Sequence, residues 1–111
     1  FQHVTGSGND DIIIGDAQNN RLNGGGGNDI INGGLGRNSL NGGDGADTFI
    51  YSGGNDRIVD FNAAEGDVIK ADAAYTNIEQ TSRGTLLSFD DGGQIMLSGI
   101  SASDVQLDWF F

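Results

Sequence analysis

Large apolar residues recur about once every nine positions across residues 5–59, at Ile12, Leu22, Ile31, Leu40, Phe49 and Ile58, each flanked by Gly, Asn and Asp. That spacing fits neither a helical stripe nor one long alternating strand; it predicts short strands separated by turns. Three adjoining blocks, GGGGNDIIN (24–32), GGLGRNSLN (33–41) and GGDGADTFI (42–50), share the form G-G-x-G-x-[DN]-x-U-x, with U a large apolar residue. Block 15–23 keeps the phase through Asn20 and Leu22, and block 51–59 through Asp56 and Ile58. The first block is taken as 5–13, with Ile14 as an extra residue; a shift by one would put Asp11 and Ile13 in the key places. Beyond residue 59 the pattern changes. Segments 85–89 and 94–97 read as strands joined by Asp90-Asp91-Gly92-Gly93, a hairpin signal, with 77–82 pairing in front of them. Residues 101–104 suit one helical turn capped by a serine, and 105–111 a last strand.

Composition narrows the classes. A chain of 111 residues suggests one domain. Twenty Gly with no Pro and no period of three exclude collagen, and the repeats argue against a flexible linker. The net charge of −11 opposes nucleic-acid binding. There is no Cys for a disulfide or thiolate site, and no apolar run approaches the roughly 18 residues of a membrane span. The sole histidine is His3, and no nucleophile elbow, zinc helix or P-loop occurs, so no enzyme is expected. The start at Phe1 suggests a piece of a larger protein.

The repeats resemble the RTX (repeats-in-toxin) calcium-binding nonapeptide over roughly residues 5–59. Phe49-Ile50-Tyr51, Asp56 to Phe61 and Gly66-Asp67-Val68-Ile69 are similar to the segment that closes the repeats in many such proteins. The expected fold is all-β: a parallel β-roll of calcium-binding repeats over 5–59, with an antiparallel β cap over 60–111. Two blocks would form one coil, so that every second turn stacks along the same edge, about 4.8 Å apart. One apolar side chain per repeat, from Ile12 to Ile58 as named above, would point inward.

Calcium takes six to eight oxygens, which carboxylates and backbone carbonyls can both supply. The resemblance implies carbonyls from the second and fourth positions of one turn, carbonyls from the first and third of the next, and both sixth-position side chains. One edge would then offer Gly6, Gly8 and Asp10 facing Gly24, Gly26 and Asp29, and above them Gly25, Gly27 and Asp29 facing Gly42, Asp44 and Asp47. The other edge carries Asn20, Asn38 and Asp56. Its upper site would use Gly34, Gly36 and Asn38 with Tyr51, Gly53 and Asp56, while the Asn20–Asn38 pair could equally be a metal-free stack. Asp60, Glu65 and Asp67 could bind a further ion or form a solvated acidic loop. The functional expectation is a non-catalytic module that binds several Ca2+ ions, folds on them after secretion, and stabilises the C-terminus of a larger exported bacterial protein. The ending Asp108-Trp109-Phe110-Phe111 resembles a type I secretion signal, which would make the secretion apparatus a partner. The alternative is a module binding an extracellular polysaccharide or cell surface, as attached to alginate-modifying enzymes or adhesins. Arg21 and Arg37 flank the weakly acidic edge and Arg57 adjoins it, so a basic strip is the feature that would favour it.

Overall fold

The computed structural model describes residues 2–71 and 75–105. Its strands are β1 (Gln2–Thr5), β2 (Ile12–Ile14), β3 (Asn20–Asn23), β4 (Ile30–Asn32), β5 (Arg37–Asn41), β6 (Thr48–Tyr51) and β7 (Asn55–Ile58), followed by β8 (Val68–Ala71), β9 (Tyr75–Gln80), β10 (Gly84–Phe89) and β11 (Gln94–Ser98). They form two sheets, of order β2-β4-β6-β8 and β1-β3-β5-β7-β11-β10-β9. Odd and even repeats thus fall on opposite sides of a flattened parallel roll. Partners lie 18 residues apart, as in Ile31↔Phe49 and Leu22↔Leu40. The last coil is longer: Phe49 pairs with Ile69, a step of 20 that accommodates a short 3-10 turn at Ala63–Glu65.

Alternation does the rest. Leu22, Ile31, Leu40, Phe49, Ile58 and Ile69 are each at most 1% exposed and fill the space between the sheets. The first repeat departs from the expected register. Ile13 pairs with Ile31 and is buried, whereas Ile12 is 71% exposed. The block therefore begins at Gly6, and Ile14 closes it rather than being an extra residue.

Close stacking explains the glycines at the second turn position. A Cβ on Gly25 would run into the carbonyl oxygen of Ser7 in the turn below, and one on Gly43 into that of Gly25. Both glycines also have positive φ. Ser7 holds the same position in the lowest turn, beneath which no described residue lies. The ninth-position asparagines assist: Asn23, Asn32 and Asn41 each accept a bond from the backbone N–H two residues on, forming Asx turns that start the next block.

The C-terminal hairpin forms as expected, with β10 antiparallel to both β11 and β9. It does not stand apart from the roll: β11 runs parallel to β7, pairing Ile95 with Asp56 and Leu97 with Ile58. Leu87, Phe89, Ile95 and Leu97 extend the same core. Tyr51 stacks on Phe89 with centroids 4.0 Å apart and donates its hydroxyl to Asp91 Oδ1 at 2.6 Å. Both sheets therefore continue past residue 59. The helical turn is a 3-10 turn at Ala102–Asp104, and Ser101 makes no side-chain cap bond. The expected strand 105–111 lies, apart from Val105, outside the described residues. No helix among those residues is long and apolar enough to cross a membrane.

The register gives a direct test. Ile13→Ala should cost about 2–5 kcal/mol of stability in calcium, as for a buried large-to-small change. Ile12→Ala should stay within about 0.5 kcal/mol. Urea unfolding of both variants measures the difference, and equal losses would contradict the register.

Candidate metal centre

The 18-residue stack sets the sixth-position side chains of alternate turns above one another, and the two edges of the roll then differ. On the first edge the column is Asp11, Asp29, Asp47 and Asp67. Asp11 N–H donates to Asp29 Oδ1 at 2.8 Å, Asp29 N–H to Asp47 Oδ1 at 2.9 Å, and Asp47 N–H to Asp67 Oδ1 at 2.8 Å. The Asp29, Asp47 and Asp67 carboxylates are therefore each anchored by the backbone of the turn below. At the ends of the column the second oxygen is also satisfied: Asp11 Oδ2 accepts from Ser7 N–H at 2.7 Å, and Asp67 Oδ2 from Asn62 N–H at 2.9 Å. In the middle it is not. Asp29 Oδ2 and Asp47 Oδ2 are buried without any hydrogen-bond partner.

Two buried carboxylate oxygens without donors suit a cation better than any protein group nearby. Burial pushes the Asp47 carboxyl up to about 7, and repulsion from Asp67, Asp29 and Asp60 adds to it. Burial raises Asp29 and Asp67 as well. Main-chain oxygens lie close by. A Cβ on Gly24 would stand 2.5 Å from Asp29 Oδ2 and 2.9 Å from the Gly42 carbonyl oxygen, so only glycine leaves room for these oxygens. Among the described residues no three acidic or histidine side chains converge. The donors are instead one carboxylate per turn plus carbonyls, an all-oxygen set that suits a hard cation such as Ca2+.

The expected residues are distributed as follows. Gly24, Gly25, Gly26, Gly27 and Asp29 form one turn of this edge, and Gly42, Asp44 and Asp47 the next, with the Asp44 side chain exposed. Asp10 is not in the column. It holds the fifth position, where its Oδ1 accepts from Asn28 N–H at 2.7 Å, just as Asn28 Oδ1 accepts from Ala46 N–H at 2.8 Å. With the block starting at Gly6, the second and fourth positions are Ser7 and Asn9 rather than Gly6 and Gly8. A Cβ on Gly25 would meet Ser7, and one on Gly27 would meet Asn9. The run of two aspartates, Asp10-Asp11, hid this choice. Asp67 was legible only as an acidic residue past the repeats, because the two-residue insertion breaks the period. Asp60 caps the turn beneath it, accepting from Gly42 N–H at 2.9 Å and Gly43 N–H at 2.7 Å.

The second edge stacks Asn20, Asn38 and Asp56. Gly34, Gly36, Gly53 and the backbone of Tyr51 belong to its turns, while the Tyr51 ring lies in the core. Here Asn20 N–H donates to Asn38 Oδ1 at 3.0 Å, and Asn38 Nδ2 donates to Asp56 Oδ1 at 2.9 Å. Burial pushes Asp56 up to about 7. Beside this edge, on the seven-stranded sheet, lies a groove of about 610 Å³ whose lining includes Arg21, Arg37, Arg57 and Arg83. The pairings Arg21↔Ser39, Ser39↔Arg57 and Arg57↔Met96 set its residues in one row across the strands.

This architecture defines a parallel β-roll with a carboxylate-lined edge. The family model for the RTX calcium-binding nonapeptide repeat matches residues 5–40 and 31–58, with four copies of the repeat. Residues 5–58 thus belong to the RTX calcium-binding repeat family. The chain is similar to the solution structure of the AlgE6R3 subunit of the Azotobacter vinelandii mannuronan C5-epimerase, with 27% identity and a TM-score of 0.55, covering 97% of this chain and 81% of that one. No curated protein matches the chain.

Two outcomes follow for the acidic column. Asp11→Asn should raise the calcium concentration needed for binding several-fold, by removing ligand charge. Asp10→Asn should change it little, since the amide oxygen can still accept from Asn28. Calcium titration of both variants decides, and a larger effect at Asp10 would contradict the register. In chelator, the raised Asp47 should favour the apo fold at low pH. That contribution is fully present below the ordinary value of 3.8 and is lost as pH rises through about 7. Acidifying the apo chain from pH 8 should therefore increase β structure by circular dichroism, and unchanged spectra would oppose this.

Proposed function

We propose that this chain is a non-catalytic calcium-binding module of an exported protein, one that folds when the Asp11–Asp29–Asp47–Asp67 column takes up Ca2+. The observation that carries the proposal is the pair of buried, donorless oxygens on Asp29 and Asp47, within a repeat of a calcium-binding family. Carbonyls of the Gly24–Gly27 and Gly42–Asp44 turns would join these carboxylates in holding the ions. Bound calcium neutralises the stacked carboxylates. Without it, their mutual repulsion and desolvation oppose the fold, so binding and folding are coupled. Such a chain would stay unfolded in the low-calcium cytosol, pass through a type I secretion apparatus, and fold outside to stabilise the C-terminus of its parent. The signal would be the ending Asp108-Trp109-Phe110-Phe111, which lies outside the described residues.

Far-UV circular dichroism tests the coupling. A disordered-like spectrum is expected in chelator at neutral pH and a β spectrum in millimolar calcium. Magnesium should substitute poorly, because it demands a tight octahedron and dehydrates reluctantly. Equal β content with and without chelator would overturn the reading.

A second reading, binding of an anionic extracellular polysaccharide, is supported by the arginine groove. Four of the chain's five basic residues line it, in a protein of net charge −11. Guanidinium forks suit carboxylates, and the similar subunit comes from an enzyme named for mannuronan. In calcium, alginate oligomers should perturb signals of Arg21, Arg37 and Arg57 while a neutral glycan does not. Arg21→Ala with Arg57→Ala should weaken binding at least several-fold. Equal binding of both glycans would oppose a charge-read groove.

A further inference from the structure

The two edges of the roll use one backbone arrangement for opposite chemistry. At Asp29, Asp47 and Asn38 alike, the Oδ1 atom accepts the backbone N–H of the turn below. That bond determines where the second terminal atom of the side chain points. On the first edge it is a carboxylate oxygen without a donor. At Asn38 it is Nδ2, which donates to Asp56 Oδ1 at 2.9 Å, the Leu35 carbonyl at 3.2 Å and the Gly34 carbonyl at 3.5 Å. Turning the Asn38 amide over would break the bond from Asn20 N–H and set Oδ1 against three oxygens. Asn20 repeats the donor half of the arrangement: its Nδ2 donates to the Gln18 carbonyl at 2.9 Å, Asp16 Oδ1 at 3.2 Å and the Gly33 carbonyl at 3.5 Å. Its own Oδ1 is left buried and without a partner.

We propose that calcium occupies the aspartate edge alone, and that on the second edge the side-chain amides of Asn20 and Asn38 take the cation's place, drawing carbonyl and carboxylate oxygens together as hydrogen-bond donors. This rests on the calcium reading above and adds to it which edge is metal-free. An amide N–H2 offers two donors to oxygens that would otherwise repel one another, without adding charge. A Ca2+ ion in the same space would meet an N–H2 group where it needs an oxygen. The edge closes above Asp56, whose sheet partner on β11 is the apolar Ile95 rather than another carboxylate. The result is an ion-free seam with Asp56 as its one sixth-position carboxyl, beside the arginine groove, where Asn20, Asn38 and Asp56 also form part of the lining.

Counting bound ions on the full 111-residue chain tests this, by equilibrium dialysis against calcium with native mass spectrometry as a second count. The column Asp11, Asp29, Asp47, Asp67 has three intervals, so at most three ions should bind. Asp56→Asn should leave the count unchanged and the calcium midpoint within about twofold, whereas Asp29→Asn should lower the affinity several-fold. Asn38→Asp should add one ion. More than three ions in the unaltered chain, loss of an ion in Asp56→Asn, or no gain in Asn38→Asp would overturn the proposal. Loss of all binding in the unaltered chain would instead overturn the calcium reading itself. Should Asn38→Asp fail to fold, nitrogen-15 NMR of the calcium-loaded chain decides: slow exchange of the Asn38 Nδ2 protons is expected, and solvent-like exchange would overturn the assignment.

Discussion

Strand stacking at about 4.8 Å forces side chains of equivalent turns into contact, and the whole molecule has to accommodate that. A residue type placed at the sixth turn position is repeated up the edge, so its charge and hydrogen-bonding capacity are repeated too. Backbone N–H groups satisfy one oxygen each of Asp29, Asn38, Asp47 and Asp67. What becomes of the other terminal atom decides the character of each edge. At Asp29 and Asp47 it is a buried carboxylate oxygen without a donor; at Asn38 it is a donor that satisfies neighbouring acceptors. The same backbone therefore carries one edge with donorless carboxylate oxygens and another with amide donors.

The apolar core follows from the same period. One large side chain per repeat forms a single file between the sheets, from Ile13 to Ile69. Such a narrow core gains little from burial compared with a thicker domain. The hairpin of β10 and β11 supplies what the repeats lack. It joins the seven-stranded sheet beside β7, brings Leu87, Phe89, Ile95 and Leu97 to the core, and clamps Tyr51 through Phe89 and Asp91. Because β11 continues the sheet, the groove can run from repeat residues such as Arg21 onto cap residues such as Met96.

The sequence by itself determined the all-β class, the two-block coil, the hairpin and the Asp29–Asp47 stack, since each depends on period and turn chemistry that any nine-residue window displays. It also carried the three further asparagines at position nine, whose Asx bonds became meaningful only once the turns were seen. Tertiary structure alone decided the points at which two local patterns compete. Asp10 and Asp11 are equivalent in any local reading; pairing of Ile13 with Ile31 sends Asp11 into the column. Asp67 joins it because β8 pairs with β6 across an insertion that hides the period. The orientation of the Asn38 amide is set by a backbone N–H 18 residues away. The four arginines, spread over 63 positions from Arg21 to Arg83, meet only because sheet order brings β3, β5, β7 and the cap side by side. Local chemistry is periodic and so legible along the chain; register and long-range pairing are not, because they depend on which burial pattern the complete core accepts.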